Sequence, residues 1–171
     1  MSHNSIVIYK SKTGFTERFA KWIGEELSCD VIPYARRSAI NFDAYDTVIY
    51  GGGIYAGSIG GLKWFKEKLP AMAGKKVVVF ASGATPADSA ETAKCLRQNF
   101  TDDEWSQIKA YYFQGGLCYE KMSLGSRIMM SMFRSMLKKQ EGNSESYRAI
   151  ASSYDCASKE DLKPLLEYCI K

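Results

Sequence analysis

The sequence predicts an α/β fold, a parallel sheet carrying helices on both faces. Three observations lead there. Five short apolar runs alternate with segments of helical character along the 171 residues, the pattern of a sheet covered on two sides. Most of those runs end in Gly, Ser or Thr, the residues that let a ligand approach the carboxyl ends of strands in such sheets. The first run, Ser5-Ile6-Val7-Ile8-Tyr9, passes straight into Ser11-Lys12-Thr13-Gly14-Phe15-Thr16 and then into a helical pattern.

Each element has its own signal. Ile6–Tyr9 reads as a short buried strand. Thr16–Leu27 reads as a helix, with Phe19, Ala20, Ile23 and Leu27 spaced by three and four residues on one face. Cys29–Pro33 is the second strand. Thr47-Val48-Ile49-Tyr50 is the third and ends in Gly51-Gly52-Gly53. Leu62–Leu69 is a helix closed by Pro70. Val77–Ala81 is the clearest central strand and runs into Ser82-Gly83. Ala87–Asn99 is helical, and Ile108–Phe113 is the fifth strand. Ser158–Ile170 closes the chain as a helix, with Ser158 as N-cap and Glu160 and Asp161 in its first turn. No repeat or linker interrupts this order, so residues 1–171 read as a single domain with an insertion segment over 117–140.

Composition narrows the function classes. Apolar residues make up 46% and charged residues 25%, the proportions of a globular chain. No run reaches the roughly twenty apolar residues of a membrane span, and the N-terminus lacks a signal-peptide core, so the expected location is cytoplasmic. The five cysteines are scattered without a CxxC, which points to reduced thiols and no metal site. The one histidine, His3, lies in a terminus expected to fray. That leaves no buried imidazole for catalysis. A net charge of +4 suits an anionic ligand but falls short of a nucleic-acid footprint.

The loop Ser11–Thr16 is built as a phosphate cradle. Free N–H groups at a helix start, with Ser and Thr hydroxyls beside them, hold a phosphate monoester without any charged side chain. The competing fingerprints are missing. Neither GxGxxG nor GxxxxGK[ST] occurs, and Gly51-Gly52-Gly53 and Gly60-Gly61 fit neither spacing, which argues against a tightly held dinucleotide or ATP. A phosphate-receiver domain would need acidic residues after the first strand, where Tyr9-Lys10-Ser11 stands.

Ser11, Thr13, Gly14 and Thr16 match the Ser-x-Thr-Gly-x-Thr loop of the flavodoxin family. Tyr45–Gly52 resembles that family's third strand, and Ala81-Ser82-Gly83 its fourth. The resemblance implies a doubly wound five-stranded sheet of order 2-1-3-4-5 and a non-covalent FMN. Its phosphate would lie on Ser11, Thr13 and Thr16 and on the N–H groups from Lys12 through Gly14 and Phe15 to Thr16. Gly53, Ile54, Tyr55, Ala56 and Gly57 would border the ring, with Tyr55 stacking on it or standing as an exposed loop aromatic. Ser82, Gly83, Ala84 and Thr85 would offer N–H groups to the pyrimidine end, where negative charge grows on reduction. Lys10 and Lys12 read as solvated lysines that add charge at most.

Two departures distinguish this chain from small electron-carrying flavodoxins. The segment Ala84-Thr85-Pro86-Ala87-Asp88 has no aromatic to cover the ring, and the chain is net positive where those carriers are acidic. Positive charge raises a flavin's reduction potential by simple Coulomb attraction. After the fifth strand, Phe113-Gln114-Gly115-Gly116-Leu117-x-Tyr119 leads into a helix within 124–139. It is apolar at Ile128, Met129, Met132, Phe133, Met136 and Leu137 and basic at Arg127, Arg134, Lys138 and Lys139. That region resembles the bacterial flavodoxin-type, menaquinone-dependent protoporphyrinogen oxidases. The resemblance implies hydride transfer from a porphyrinogen to FMN, electrons passed to a quinone, and Tyr119, Arg127 and Arg134 facing the substrate. Cys118 reads as a bystander, and no side chain stands out as a catalytic acid or base. The helix reads equally as an extra helix on the core, a membrane-surface helix or a Met-rich ligand face. An electron carrier and an NAD(P)H-dependent quinone or flavin reductase are the alternative functions.

Overall fold

The structure, a computed structural model, describes residues 4–171; the expectation for His3 falls outside them. The sheet is built from β1 (Ser5–Lys10), β2 (Asp30–Pro33), β3 (Thr47–Tyr55), β5 (Lys76–Gly83) and β6 (Ile108–Gln114), with the short β4 (Ser58–Ile59) folded back on β3. The long strands are parallel in the order β2-β1-β3-β5-β6. Counted without β4, this is the expected 2-1-3-4-5.

Successive residues of each strand feed opposite layers. Val7, Ile49, Val78, Phe80 and Phe113 pack under α1 (Phe15–Leu27) and α7 (Lys163–Ile170), against Phe19, Ile23 and Leu165. Ile6, Ile8, Val48, Tyr50, Val77 and Val79 pack under α2 (Leu62–Glu67) and α3 (Ala90–Arg97), against Leu62, Phe65 and Leu96. Burial on both faces is why the central strands read as unbroken apolar runs.

Several boundaries differ from expectation for identifiable reasons. The third strand does not stop at Gly51 but runs through Gly51-Gly52-Gly53 to Tyr55. Gly51 pairs in register with Phe80, and a Cβ on Gly51 would stand 2.1 Å from Phe80 Cζ. The glycine is therefore a packing requirement inside the strand. The helix expected over 87–99 begins only at Ala90, because Ser89 caps it by accepting the Thr92 N–H. The helix expected over 62–69 ends at Glu67, and Leu69–Met72 turns as a 3-10 helix around Pro70. The closing helix likewise opens with a 3-10 turn, Lys159–Leu162, before α7 continues through Pro164.

The unforeseen α4 (Asp102–Gln107) starts on a capping box between Thr101 and Glu104, a Thr-x-x-Glu signal legible in the sequence. Glu104 also accepts from Lys66 Nζ at 3.0 Å. Burial alone would raise its carboxyl, but the Thr101 N–H and the Lys66 ammonium outweigh that and hold it below the ordinary 4.5. A carboxyl with a depressed folded-state pKa adds stability that is complete above its unfolded value and lost as pH falls through the folded one. Wild type should therefore lose about 1 kcal/mol more than Glu104→Gln between about pH 5 and about pH 3 in urea unfolding. Parallel curves would remove Glu104 from the acid response.

After β6 the chain leaves the sheet. It forms β7 (Gly116–Leu117), α5 (Leu124–Glu141) and α6 (Glu145–Ile150), then returns through β8 (Tyr154–Asp155), which pairs antiparallel with β7. The excursion thus spans Gly116 to Asp155, beyond the expected 117–140. None of the α5 residues is buried; it does not pack into the core.

Candidate functional site

Three loops meet at the carboxyl ends of β1, β3 and β5. In the first, Gly14 takes a left-handed φ of +97° and stands as the N-cap of α1, with no side chain capping the helix. The first helical bond runs from the Arg18 N–H to Gly14 O at 3.0 Å. The Phe15, Thr16 and Glu17 N–H groups therefore precede any helical acceptor. Ser11 Oγ accepts the Gly14 N–H at 3.1 Å and shapes the turn. The Phe15 ring is buried beside Gly115, so this residue contributes its backbone to the loop. The first-turn carboxylate of Glu17 is drawn aside by Lys21 at 2.6 Å.

Thr16 was expected to aim its hydroxyl at a phosphate. It is buried, and its Oγ1 lies 2.7 Å from Ser82 Oγ, tying the first loop to the end of β5. A hydroxyl has one donor and two acceptor positions, so this bond still leaves Thr16 able to donate when Ser82 donates to it. Lys12 is exposed and Lys10 half-buried, and both ammonium groups lie over rings. Lys10 Nζ lies 4.6 Å from the Tyr34 ring centroid and Lys12 Nζ 4.2 Å from that of Tyr55.

The second loop is the tip of the β3–β4 hairpin. Ala56 and Gly57 both adopt positive φ, 47° and 81°, the signature of a type I′ turn. Gly53, Ile54 and Tyr55 belong to the strand, not the loop. Asn99, unforeseen from sequence, fixes the tip by donating to Gly57 O at 3.0 Å and accepting the Ile59 N–H at 3.0 Å. The Tyr55 ring lies against Gly53. Burial raises its phenol above the ordinary range, while the Lys12 backbone and the Thr13 hydroxyl oppose that shift.

In the third loop, Ser82 and Gly83 end β5, and the carbonyls beyond them are tied inward. Ala84 O accepts from Gln114 Nε2 at 3.2 Å and from the Tyr154 hydroxyl at 2.9 Å, and Thr85 O from the Tyr112 hydroxyl at 2.7 Å. Among the described residues no acceptor meets the Ala84 or Thr85 N–H.

Tyr119, Arg127 and Arg134 come together, though chiefly with one another and with backbone. Arg127 donates to Tyr119 O at 2.8 Å and to Glu120 O at 2.9 Å. Arg134 donates to Ala151 O at 3.1 Å and lies 4.9 Å from the Tyr119 ring centroid. The Tyr119 hydroxyl bonds Ile150 O, and its N–H bonds Ser153 Oγ. The Cys118 thiol donates to Glu120. The turn they clamp carries Lys121, whose Nζ lies 3.4 Å from where a Gly14 Cβ would be. Its lone position in sequence gave no hint of this.

Two surface grooves share no residue with these loops. One of about 550 Å³ is lined by Arg37, Phe42 and Trp64, among others, and one of about 270 Å³ by Trp105, Ile108 and Tyr168. The donor chemistry is what marks the site. An uncapped helix start, three hydroxyls and two free amides, with no carboxylate among them, fit a phosphate monoester at one end and an electron-rich ring edge at the other.

Comparison with known proteins agrees. The chain matches the flavodoxin domain over residues 6–144. Among solved structures it resembles the Trp repressor binding protein from Bacillus subtilis, at 17% identity over 66% of this chain and 83% of that one, with a TM-score of 0.50. It also resembles the flavodoxin, WrbA-like protein from Agrobacterium tumefaciens, at 18% identity over 72% and 87%, with a TM-score of 0.46. A flavodoxin from the domain Archaea matches at 17% identity over 66% and 85%, with a TM-score of 0.42. No curated protein matches the sequence. The chain belongs to the flavodoxin family, and its cofactor is FMN.

Proposed function

We propose that the protein is an FMN-dependent oxidoreductase of the protoporphyrinogen-oxidising kind, taking electrons from a porphyrinogen-like substrate and passing them to a quinone. The observation that carries this reading is the Gly116–Asp155 excursion stitched to the cofactor loops. Tyr154 holds the Ala84 carbonyl, β8 pairs with β7, and Lys121 reaches Gly14. Its long helix exposes Leu124, Ile128, Met129, Met132, Phe133 and Met136, an adaptable apolar row suited to a large macrocycle. FMN, when bound, supplies the hydride acceptor. The chain's own part is to bind and orient. Asp88 is the one carboxylate in the three loops, which hold no imidazole, and the third loop's own residues 84–88 include no aromatic to cover the ring, which suits a face open to an organic donor. Arg127 and Arg134 each retain N–H groups beyond those on the carbonyls, so they can meet substrate carboxylates without breaking the clamp.

The test is anaerobic incubation with protoporphyrinogen and a menaquinone analogue, following porphyrin fluorescence. Quinone-dependent porphyrin formation is the expected result. No porphyrin with any quinone, together with reduction of a partner redox protein, would establish the carrier instead. Rapid flavin bleaching by NADPH alone would establish the reductase.

Among the described residues no helix is long and apolar enough to cross a membrane. We assign the exposed row of α5, with Lys138 and Lys139 in its last turn, to contact with the anionic inner membrane surface in which a quinone dissolves. Vesicles of phosphatidylglycerol should sediment the wild type, and Met132→Glu should weaken that binding about tenfold. Equal sedimentation of both proteins would free α5 for the substrate alone.

A further inference from the structure

We propose that Lys121, delivered by the excursion, is the cation that neutralises the FMN phosphate, so that the Gly116–Asp155 segment completes the cofactor site. The proposal rests on the FMN assignment. A phosphate monoester carries a charge of about −1.5 to −2 at neutral pH, and apart from Lys12, whose ammonium lies on the Tyr55 ring, the first loop offers only neutral donors. The other cations around the loop already have partners. Lys10 and Lys12 lie on the rings of Tyr34 and Tyr55. Arg18 is paired with Asp155 at 2.7 Å. Lys121 has no carboxylate partner within 4.0 Å among the described residues.

Among the described residues beyond Thr13 and Phe15, its ammonium is the atom found within 4 Å of the position a Gly14 Cβ would take, at 3.4 Å. Gly14 is the residue that starts α1, where the loop's amides begin. Geometry and charge therefore agree: the ammonium stands where the helix dipole and the free N–H groups already favour an anion.

The placement is engineered by the fold around it. Lys121 ends the 3-10 turn Tyr119–Lys121. Arg127 grips that turn through the Tyr119 and Glu120 carbonyls. Ser153 holds it from the other side, accepting the Tyr119 N–H at 3.0 Å and donating to Glu120 at 2.8 Å. Arg127 is thus a positioning residue for Lys121, besides any meeting with substrate. Order in the excursion and occupancy of the phosphate loop are coupled through one side chain.

The experiment compares FMN with riboflavin, which lacks the phosphate. The full chain is titrated with each flavin, following flavin fluorescence. Lys121→Gln should raise the FMN Kd about tenfold and leave the riboflavin Kd within about twofold. Lys121→Arg should retain FMN affinity, and Arg127→Gln should reproduce part of the selective loss. Added salt should weaken FMN binding more in wild type than in Lys121→Gln. An unchanged FMN Kd in Lys121→Gln would overturn the proposal, and so would equal losses for both flavins. A wild-type chain that binds riboflavin and FMN equally would likewise overturn it, with the ring site left intact. Binding of neither flavin would overturn the cofactor assignment and this proposal together.

Discussion

Gly51→Ala is expected to lower the thermal midpoint by about 10 °C, the equivalent of about 3 kcal/mol in a chain of this size. The added Cβ would stand 2.1, 2.5 and 2.7 Å from three atoms of the Phe80 ring. Phe80 cannot step back. It is fully buried and lies 5.6 Å, centroid to centroid, from Phe113, which in turn meets Phe19 at 5.3 Å. One methyl group therefore displaces a ring packed between sheet and α1, and it does so in the strand that carries the second cofactor loop. The control is Gly51→Ala combined with Phe80→Leu. If steric overlap is the cause, the second change recovers part of the loss, although Phe80→Leu alone destabilises. A midpoint within about 2 °C of wild type for Gly51→Ala would refute the packing role of this glycine.

Thr16→Val should cost both stability and cofactor affinity, and the two losses can be read separately. Valine keeps the shape but leaves the Ser82 hydroxyl buried without its partner, for about 1–3 kcal/mol in urea unfolding. It also removes a donor to the phosphate, for about a 10- to 100-fold rise in FMN Kd. Thr16→Ser keeps the hydroxyl and should spare most of the affinity. Thr13→Val is the contrasting case. Thr13 is only half-buried and its hydroxyl faces Tyr55, so affinity should fall with little change in stability. Should Thr16→Val bind FMN as wild type does, the hydroxyl belongs to the Ser82 bond alone.

These variants mark the line between what local sequence carries and what it does not. β1, the turn through Gly14 and the start of α1 were legible because their signals lie within a dozen residues: an apolar run, hydroxyls, one glycine, then apolar positions at helical spacing. The capping box between Thr101 and Glu104 is an equally local signal. The glycine run after Tyr50 misled, because glycine marks a strand end and a close approach alike. Only the pairing with Phe80 distinguishes the two.

Fold class and a phosphate-binding first loop are therefore properties of the sequence, written in short segments whose meaning survives in isolation, and strand order and FMN follow from the family resemblance those segments carry. The joining of Thr16 to Ser82, the tethering of Ala84 by Tyr154, and the approach of Lys121 to Gly14 arise differently. Those partners stand 66 and 70 residues apart in the first two cases, and in the third one partner belongs to a segment outside the sheet. No periodicity encodes such meetings. They exist because the parallel sheet gathers its strand ends at one edge and the β7–β8 pair carries the excursion back to it.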